Sequence, residues 1–321
     1  MSLYHTQFIN AAALGGLRID TVTEGKLVRV KADGDKGGKR SGAYRYFGDS
    51  DNPSGIWWNW KNGAMGTWVA RERMSPSESA AHRERIRQAK IEREAEQAKQ
   101  WQVNAVRNRD LFEGAETITA GDPVALYLAG RGLAIPDTRS LRFEPALEYW
   151  EDGKLVRLLP AMLAAVARPS GEVVAIHRTY LTWDGRKADV PTVKKLTGTS
   201  GPLAGAAIRL GRPQVRPDGR PGLAVAEGIE TALAVTALHG IGCWAAVSAH
   251  GLQSFQWPAE VKNLYVMGDN DASGTGQDAA QRLAKDAAAK GLTARVHIPE
   301  AVGQDWADVV FARTKTAKEV A

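Results

Sequence analysis

The sequence predicts an α/β domain with a mostly parallel, Rossmann-like sheet in its last hundred or so residues. Between residues 213 and 321, short apolar runs alternate with helical stretches, starting at Leu223–Ala226 and ending at Ala294–Ile298. This alternation is typical of parallel strands joined by covering helices. Acidic side chains follow two of the apolar runs, where open α/β folds form their sites. We therefore expect a site at the carboxyl edge of this sheet.

Three further segments precede this domain. Residues 1–75 combine glycine, aspartate and aromatic residues with short apolar runs, which predicts a small β-rich module. Residues 76–115 contain no glycine before Gly114 and are dominated by Glu, Arg, Lys, Gln and Ala, which predicts a long, mostly solvated helix or linker. Residues 116–212 join a predicted helix, Pro123–Gly130, to strand-like runs and predict a mixed α+β domain. The predicted boundaries fall after residues 75, 115 and 212.

The net charge of +6 is unevenly distributed. The balance of Lys and Arg over Asp and Glu is +5 for residues 1–115, +3 for residues 116–212 and −2 for residues 213–321. A basic front two-thirds suits attraction of a polyanion, although a pI near 9.4 also suits solubility alone. Cys243 is the only cysteine, which excludes an internal disulfide and a multi-cysteine zinc site, so no zinc is expected. We find no membrane-length apolar run or secretory signal, and expect a cytoplasmic protein without a membrane partner.

Carboxylates mark the predicted site. Glu227 directly follows the first apolar run of the last domain, and Asp269 and Asp271 follow the run Leu264–Met267. Two carboxylates one residue apart in a turn can converge on a hard cation such as Mg²⁺ or Mn²⁺, and Glu227 could complete the ligand set or act as general base. Asp305 is a further candidate, with Asp308 beside it. As alternatives, the aspartate pair could form a surface turn, Glu227 could interact with a helix dipole, and Asp305 could cap a helix.

Basic and aromatic residues of the preceding segments form a second candidate set. Interleaved cations and rings suit a nucleic-acid strand or a nucleotide, since cations contact phosphates and rings stack on bases. An exposed sheet face would show a similar pattern. The candidates are Arg131, His177, Arg178, Lys187, Lys194 and Lys195. Clustered tryptophans at Trp57, Trp58, Trp60 and Trp68 could also stack on bases, but a small hydrophobic core is the more frequent use of such a cluster.

Three segments carry a family resemblance: EGIETA from Glu227, GDNDASG from Gly268 and GQDWAD from Gly303. They resemble the Toprim domain of bacterial, phage and plasmid primases, which is shared more distantly with topoisomerases. The resemblance implies that Glu227 is the invariant glutamate, that Asp269 and Asp271 are the metal-binding pair, and that Asp305 lies near the metals. Gly228 and Gly274 are the expected turn glycines. Many primases have aspartate where this chain has Thr231, and the role of Glu230 stays open.

The resemblance implies a stand-alone Toprim primase of the plasmid or phage, mobile-element type. Such an enzyme is expected to make short primers from NTPs on single-stranded DNA, with Mg²⁺ or Mn²⁺. Residues 127–133, 160–162, 176–181 and 184–188 look like the region that precedes Toprim in plasmid and phage primases. A separate replicative helicase is a candidate partner, because the chain lacks a GxxxxGK[ST] motif. A metal-dependent Toprim nuclease and a non-catalytic protein that binds single-stranded nucleic acid are the alternatives. A topoisomerase is disfavoured, since we see no positioned tyrosine nucleophile.

Overall fold

The computed structural model describes residues 2–48, 52–70 and 76–312, and the chain divides into two compact units, Met1–Ala95 and Glu96–Ala321. In the first unit, an antiparallel five-stranded sheet pairs in chain order, and one helix precedes it. The elements are α1 (Leu3–Leu14), β1 (Leu17–Arg18), β2 (Leu27–Ala32), β3 (Gly42–Phe47), β4 (Ser54–Asn59) and β5 (Ala64–Val69). The predicted β-rich character of this module is confirmed, whereas α1 was not predicted from the sequence.

Aromatic rings form the core of the first unit. Phe8 of α1 is fully buried, and its ring centroid lies 5.6 Å from that of Tyr44 and 5.3 Å from that of Tyr46. Trp57 is buried in the same cluster. Trp60 instead remains 49% exposed, with the Arg29 guanidinium 4.1 Å from the centre of its ring. These two tryptophans therefore divide between core and surface: Trp57 lies within β4, whereas Trp60 follows its last residue, Asn59.

The long predicted helix is α2 (Pro76–Gly114). Its last turns pack within the second unit through both polar and apolar contacts. The side-chain amides of Asn104 and Asn108 donate to the carbonyl oxygens of Thr199 and Gly198, at 2.8 and 3.0 Å, respectively. The side chains of Leu111 and Phe112 pack against a buried hydrophobic cluster.

A ten-stranded mixed sheet forms the centre of the second unit. Within this sheet, strands β6 to β10 pair antiparallel with one another. Strands β12, β13, β14 and β15 form its parallel part. The elements after α2 are α3 (Pro123–Gly130), β6 (Leu141–Glu151), β7 (Lys154–Ala167), β8 (Val173–Tyr180), β9 (Lys194–Leu196), β10 (Ala207–Arg209), β11 (Gln214–Val215), β12 (Pro221–Ala226), α4 (Ile229–His239), β13 (Cys243–Ala245), α5 (Ala249–Gln253), β14 (Asn263–Met267), α6 (Thr275–Ala289) and β15 (Thr293–His297). A further helix covers residues 306–312.

The register of the parallel strands sets the position of the site. Ala226 at the end of β12 pairs with Met267 at the end of β14. The next residues along the chain, Glu227 and Gly268, therefore leave the sheet side by side at its carboxyl edge. Fully buried apolar side chains of β12 and β14 hold this edge in place from both faces of the sheet. The predicted α/β class and mostly parallel sheet of the last domain are confirmed.

The antiparallel pair β10–β13 joins the parallel strands to the preceding ones. Ile208 pairs with Ala245, and Arg209 with Trp244. One sheet thus includes strands from both sides of the boundary that the sequence predicts after residue 212. The three predicted domain boundaries remain predictions. None of the helices in the described ranges has the length and hydropathy that crossing a membrane requires.

We predict that Gly242→Ala destabilises the protein by roughly 1–3 kcal/mol, the usual cost of overpacking a well-filled position. A Cβ atom at residue 242 would lie 2.2 Å from the Arg212 carbonyl oxygen, so the backbone beside the β10–β13 junction must shift. Denaturant unfolding measures the effect. Gly114→Ala is the control, because a Cβ atom there has no neighbour within 4 Å. Equal stability of the two variants would contradict the close approach.

Candidate functional site

A cleft of about 220 Å³ opens beside the carboxyl edge of the parallel strands. Its lining combines carboxylates that follow β12 and β14 with cations from the preceding strands and helix. The charged and polar lining residues are Arg131, His177, Lys187, Lys194, Glu227, Glu230, Thr231, Asp269 and Asp305. Of the predicted site residues, the structure brings Arg131, His177, Lys187, Lys194, Glu227, Asp269 and Asp305 together in this cleft.

Asp269 is the electrostatic centre of the cleft. Burial, followed by the nearby carboxylates of Asp305, Glu227 and Asp271, raises the pKa of Asp269 to about 7. A hydrogen bond from the Thr231 side chain acts in the opposite direction. The Oδ1 atom of Asp269 is buried and has no hydrogen-bond partner. A carboxylate oxygen in this situation is short of positive charge, which a bound cation would supply.

Glu227 leaves β12 as a half-buried residue. Burial, followed by repulsion from Asp271, raises the pKa of Glu227, although the Ala249 backbone N–H donates a hydrogen bond to its carboxylate. The Glu227 carbonyl accepts from the N–H of Val247 at 2.8 Å, and Val247 adopts φ +72°, a left-handed conformation that β-branched residues rarely adopt. Backbone strain of this kind is concentrated at functional sites.

Asp271 and Asp305 each combine turn or cap hydrogen bonds with proximity to the other carboxylates. Asp271 accepts from the Ser273 hydroxyl and from the Gly276 backbone N–H at 2.8 Å, and these bonds lower its pKa. The Asp305 carboxylate accepts from the backbone N–H of Asp308 at 2.8 Å and so caps the helix that begins at residue 306. Asp305 also lines the cleft, whereas Asp271 does not.

The donor set suits a hard divalent cation. Glu227, Asp269 and Asp305 offer carboxylate oxygens, which Mg²⁺ and Mn²⁺ prefer, and Asp269 has an unpartnered buried oxygen. Across residues 2–48, 52–70 and 76–312, however, no three histidine, cysteine, aspartate or glutamate side chains already stand together as a metal site. Mg²⁺ does not need such a cluster, since one or two protein carboxylates together with water and phosphate oxygens can complete its shell.

The sequence analysis left the role of Glu230 open, and the structure shows a buried hydrogen-bond network around it. The Tyr127 hydroxyl donates to Glu230 Oε1 at 2.6 Å, and Lys194 Nζ lies 2.8 Å from Oε2. Burial raises the pKa of Glu230, but the Lys194 ammonium and both hydrogen bonds lower it more, to about 2. The available sequence signal was the position of Glu230 and Thr231 in the first turn of a helix whose other buried residues are apolar.

The cations of the cleft differ in their environments. Lys194 is paired with Glu230, whereas Arg131 has a buried Nε atom without a hydrogen-bond partner. Partial burial and the neighbouring Lys194 ammonium lower the pKa of Lys187. Burial and the same ammonium lower the pKa of His177 to about 4, so its ring is neutral at pH 7, and its buried Nδ1 has no partner. The group can therefore offer both charge and hydrogen bonds to a polyanion.

Two predicted contact residues lie outside the cleft lining. Arg178 and Lys195 pair across β8 and β9, one residue out of step with His177 and Lys194, so their side chains leave the opposite face of the sheet. Arg178 donates to the Leu196 carbonyl at 2.9 Å. Lys195 lies 3.9 Å from the centre of the Tyr149 ring and 3.5 Å from the Glu151 carboxylate. Their roles in nucleic-acid binding stay predictions.

The two expected turn glycines differ in conformation. Gly274 adopts φ +73°, which favours glycine, directly before α6. Gly228 has an extended φ of −100°, and a Cβ atom there would approach no heavy atom closer than 3.5 Å. Nothing in the local backbone requires glycine at that position. Gly276 is more constrained, because a Cβ atom would lie 2.9 Å from Asp271 Oδ2 and 3.0 Å from the Asp269 carbonyl oxygen.

A larger groove, of about 1,560 Å³, lies on the other face of the sheet. Arg209 lines this groove and its neighbour Ile208 lines the cleft, and adjacent strand residues point to opposite faces. None of the predicted site residues lines the groove. The smaller cleft, where the titratable groups interact, is therefore the candidate site.

Comparison with protein families identifies the domain that carries the carboxylates. Residues 222–316 match the family model of the Toprim domain, so this part of the chain is a Toprim domain, as the sequence analysis predicts. Residues 102–210, which supply the cations of the cleft, match a domain of unknown function (DUF7146). Comparison with curated proteins gives no match.

Solved structures similar to this chain include several primases. A DNA primase domain from Pseudomonas aeruginosa has 16% identity and a TM-score of 0.43, over 65% of this chain and 75% of that one. The DnaG primase catalytic domain bound to ssDNA has 17% identity and a TM-score of 0.46, over 70% and 78%. The zinc-binding and RNA polymerase domains of the Aquifex aeolicus primase have 13% identity and a TM-score of 0.43, over 99% and 84%. Similarity at this level does not identify an activity.

We predict that Asp269→Asn stabilises the metal-free protein above pH 7 by roughly 2 kcal/mol, after allowance for solvent screening. The folded-state pKa of Asp269 is about 7, well above the ordinary 3.8. The stability of the wild type that is present below about pH 4 is therefore lost as the pH rises through 7, whereas an amide does not titrate.

Denaturant unfolding in the presence of a chelator, at pH 5, 6, 7 and 8, measures this difference. Asp286→Asn serves as the control, because Asp286 is an exposed carboxylate paired with Lys290 on α6. Its stability should follow that of the wild type. If Asp269→Asn also followed the wild type at every pH, the carboxylate cluster would not repel as described.

Proposed function

We propose that this protein is a DNA primase or primase-like nucleotidyltransferase that makes short primers on single-stranded DNA. The observation that carries the proposal is the cleft itself, which has a volume of about 220 Å³. Its lining combines carboxylates of the Toprim domain with cations of the preceding domain. A catalyst of nucleotidyl transfer needs both cations and carboxylates. The cations neutralise the phosphates, and the carboxylates bind a metal and accept a proton.

Glu227, Asp269, Asp271 and Asp305 are the proposed holders of Mg²⁺ or Mn²⁺. When bound, such a cation would neutralise the phosphate oxygens and lower the pKa of the attacking hydroxyl. Asp269 would provide its unpartnered oxygen at the centre of this set. Asp271, held by the N-terminus of α6, would fix the turn that carries Asp269.

As an alternative to holding the metal, Glu227 is proposed as the general base. Its raised pKa makes it a better proton acceptor than an ordinary glutamate. In the proposed reaction, the 3′-hydroxyl oxygen of the growing primer forms a bond to the α-phosphorus of an incoming NTP. The bond between that phosphorus and the leaving pyrophosphate breaks, and the hydroxyl proton passes to Glu227.

Arg131, Lys187 and Lys194 are the proposed contacts to the triphosphate and template phosphates, with neutral His177 as a hydrogen-bonding group beside them. We propose single-stranded DNA and NTPs as partners, a separate replicative helicase as a further one, and the cytoplasm as the location. A role on a plasmid or phage, and contacts by Arg178 and Lys195, are also part of this proposal.

A primer-synthesis assay tests the proposed function. Purified protein is incubated with single-stranded DNA, labelled NTPs and Mg²⁺ or Mn²⁺, and the expected products are short RNA chains. Glu227→Gln is expected to reduce the rate by roughly 10²- to 10⁴-fold, the usual contribution of a general base. Asp269→Ala/Asp271→Ala should abolish synthesis while the protein stays folded.

Asp286→Asn is the charge-matched control for this assay and should retain full activity, because Asp286 lies on the exposed face of α6. Degradation of the DNA in place of synthesis would identify a metal-dependent nuclease. Binding of the DNA with neither reaction would identify a non-catalytic binding protein. Either outcome would refute the proposed primase activity.

A further inference from the structure

We propose that Glu230 and Tyr127 are positioning residues, which hold the Lys194 ammonium in place as a preset phosphate contact of the cleft. The inference rests on the proposed function, since it assumes a ligand with a polyphosphate group. It assigns a role to the glutamate that the sequence analysis left open, and it separates Lys194 from the other cations of the cleft.

The network joins three elements of the second unit. Tyr127 lies on α3, Lys194 at the start of β9 and Glu230 in the first turn of α4. Tyr127 and Glu230 are nearly inaccessible, with exposed fractions of 4% and 5%. Helix α3 and strand β9 belong to the DUF7146 segment and α4 to the Toprim domain, so the network links the two matched segments at the cleft.

Glu230 lines the cleft, but its side chain is only 6% exposed and so offers a ligand little direct contact. Each of its carboxylate oxygens already accepts a hydrogen bond, one from Tyr127 and one from Lys194. The Lys194 side chain, by contrast, keeps 38% of its surface exposed and lines the cleft. An ammonium group has three donors, and the hydrogen bond to Glu230 uses one. We therefore expect Glu230 to act on a ligand mainly through Lys194, the more exposed member of the pair.

Fixing a lysine in advance should strengthen phosphate binding. A free lysine side chain loses rotamer freedom when it binds, and a side chain that is already held loses less. The carboxylate also orients the ammonium, and supporting hydrogen bonds of this kind make a contact more precise. If the network served only to join α3 to α4, its removal would change stability and leave ligand affinity unchanged. Affinity and stability therefore distinguish the two roles.

The test is a double-mutant cycle on tripolyphosphate affinity, measured by calorimetry at a fixed Mg²⁺ concentration. Glu230→Gln is expected to weaken binding roughly three- to tenfold in the wild-type background. In a Lys194→Met background, the same substitution should change affinity less than about 1.5-fold, because the group through which it acts is gone. Asp286→Asn, which removes one exposed negative charge from α6, should bind as the wild type does.

Lys194→Met alone leaves a buried carboxylate without a counter-charge and can fail to fold. The double variant Lys194→Met/Glu230→Gln avoids this cost because it removes both charges. A second cycle then compares Tyr127→Phe in the wild type with Tyr127→Phe in the double variant. We expect Tyr127→Phe to weaken binding about twofold in the wild type and to have no effect in the double variant. Equal effects in both backgrounds, unchanged affinity in Glu230→Gln, or no tripolyphosphate binding by the wild type would overturn the proposal.

Because this test needs no turnover, it separates the inference from the proposed function. A protein that shows the coupling but makes no primers would refute the primase proposal and support the positioning role. A protein that makes primers but shows no coupling would refute the positioning role alone.

Discussion

The burial of neighbouring carboxylates at one edge of a sheet is the constraint on which this site depends. Parallel strands β12 and β14 end side by side, so the acidic residues that follow them cannot avoid one another. Burial and the neighbouring carboxylates together raise the pKa of Asp269 to about 7 and leave one of its oxygens without a partner. The burial of several carboxylates together destabilises a fold, so packing alone does not account for such a cluster. The cation that we propose for this site would offset the cost of the cluster.

The cations of the cleft come from a different segment of the chain. The Toprim domain supplies the carboxylates, and the segment that matches DUF7146 supplies Arg131, Lys187 and Lys194. One continuous sheet and the buried Glu230 network hold the two sets face to face. In the proposed function, the cations would attract a polyphosphate and the carboxylates would attract a metal. Lys194 is ion-paired with Glu230, and Asp271 accepts a hydrogen bond from the N-terminus of α6.

The sequence allowed prediction of the parallel domain and its carboxylates, because strand, turn and helix signals are local along the chain. Helix α3 and the carboxylates after β12 and β14 follow directly from such signals. The missing parts depend on long-range pairing. Nothing local indicates that Tyr127 meets Glu230, which lies 103 residues later in the chain. Likewise, basic neighbours such as Lys194 and Lys195 look alike in sequence until the strand register assigns them to opposite faces.

The most direct test is a crystal structure of the protein grown with Mn²⁺ and phased with its anomalous signal. We predict an anomalous peak in the cleft, from a Mn²⁺ ion that is ligated by Asp269 and by either Glu227 or Asp305. A fully occupied Mn²⁺ site elsewhere with none in the cleft, or a lysine ammonium seated against Asp269, would contradict this prediction.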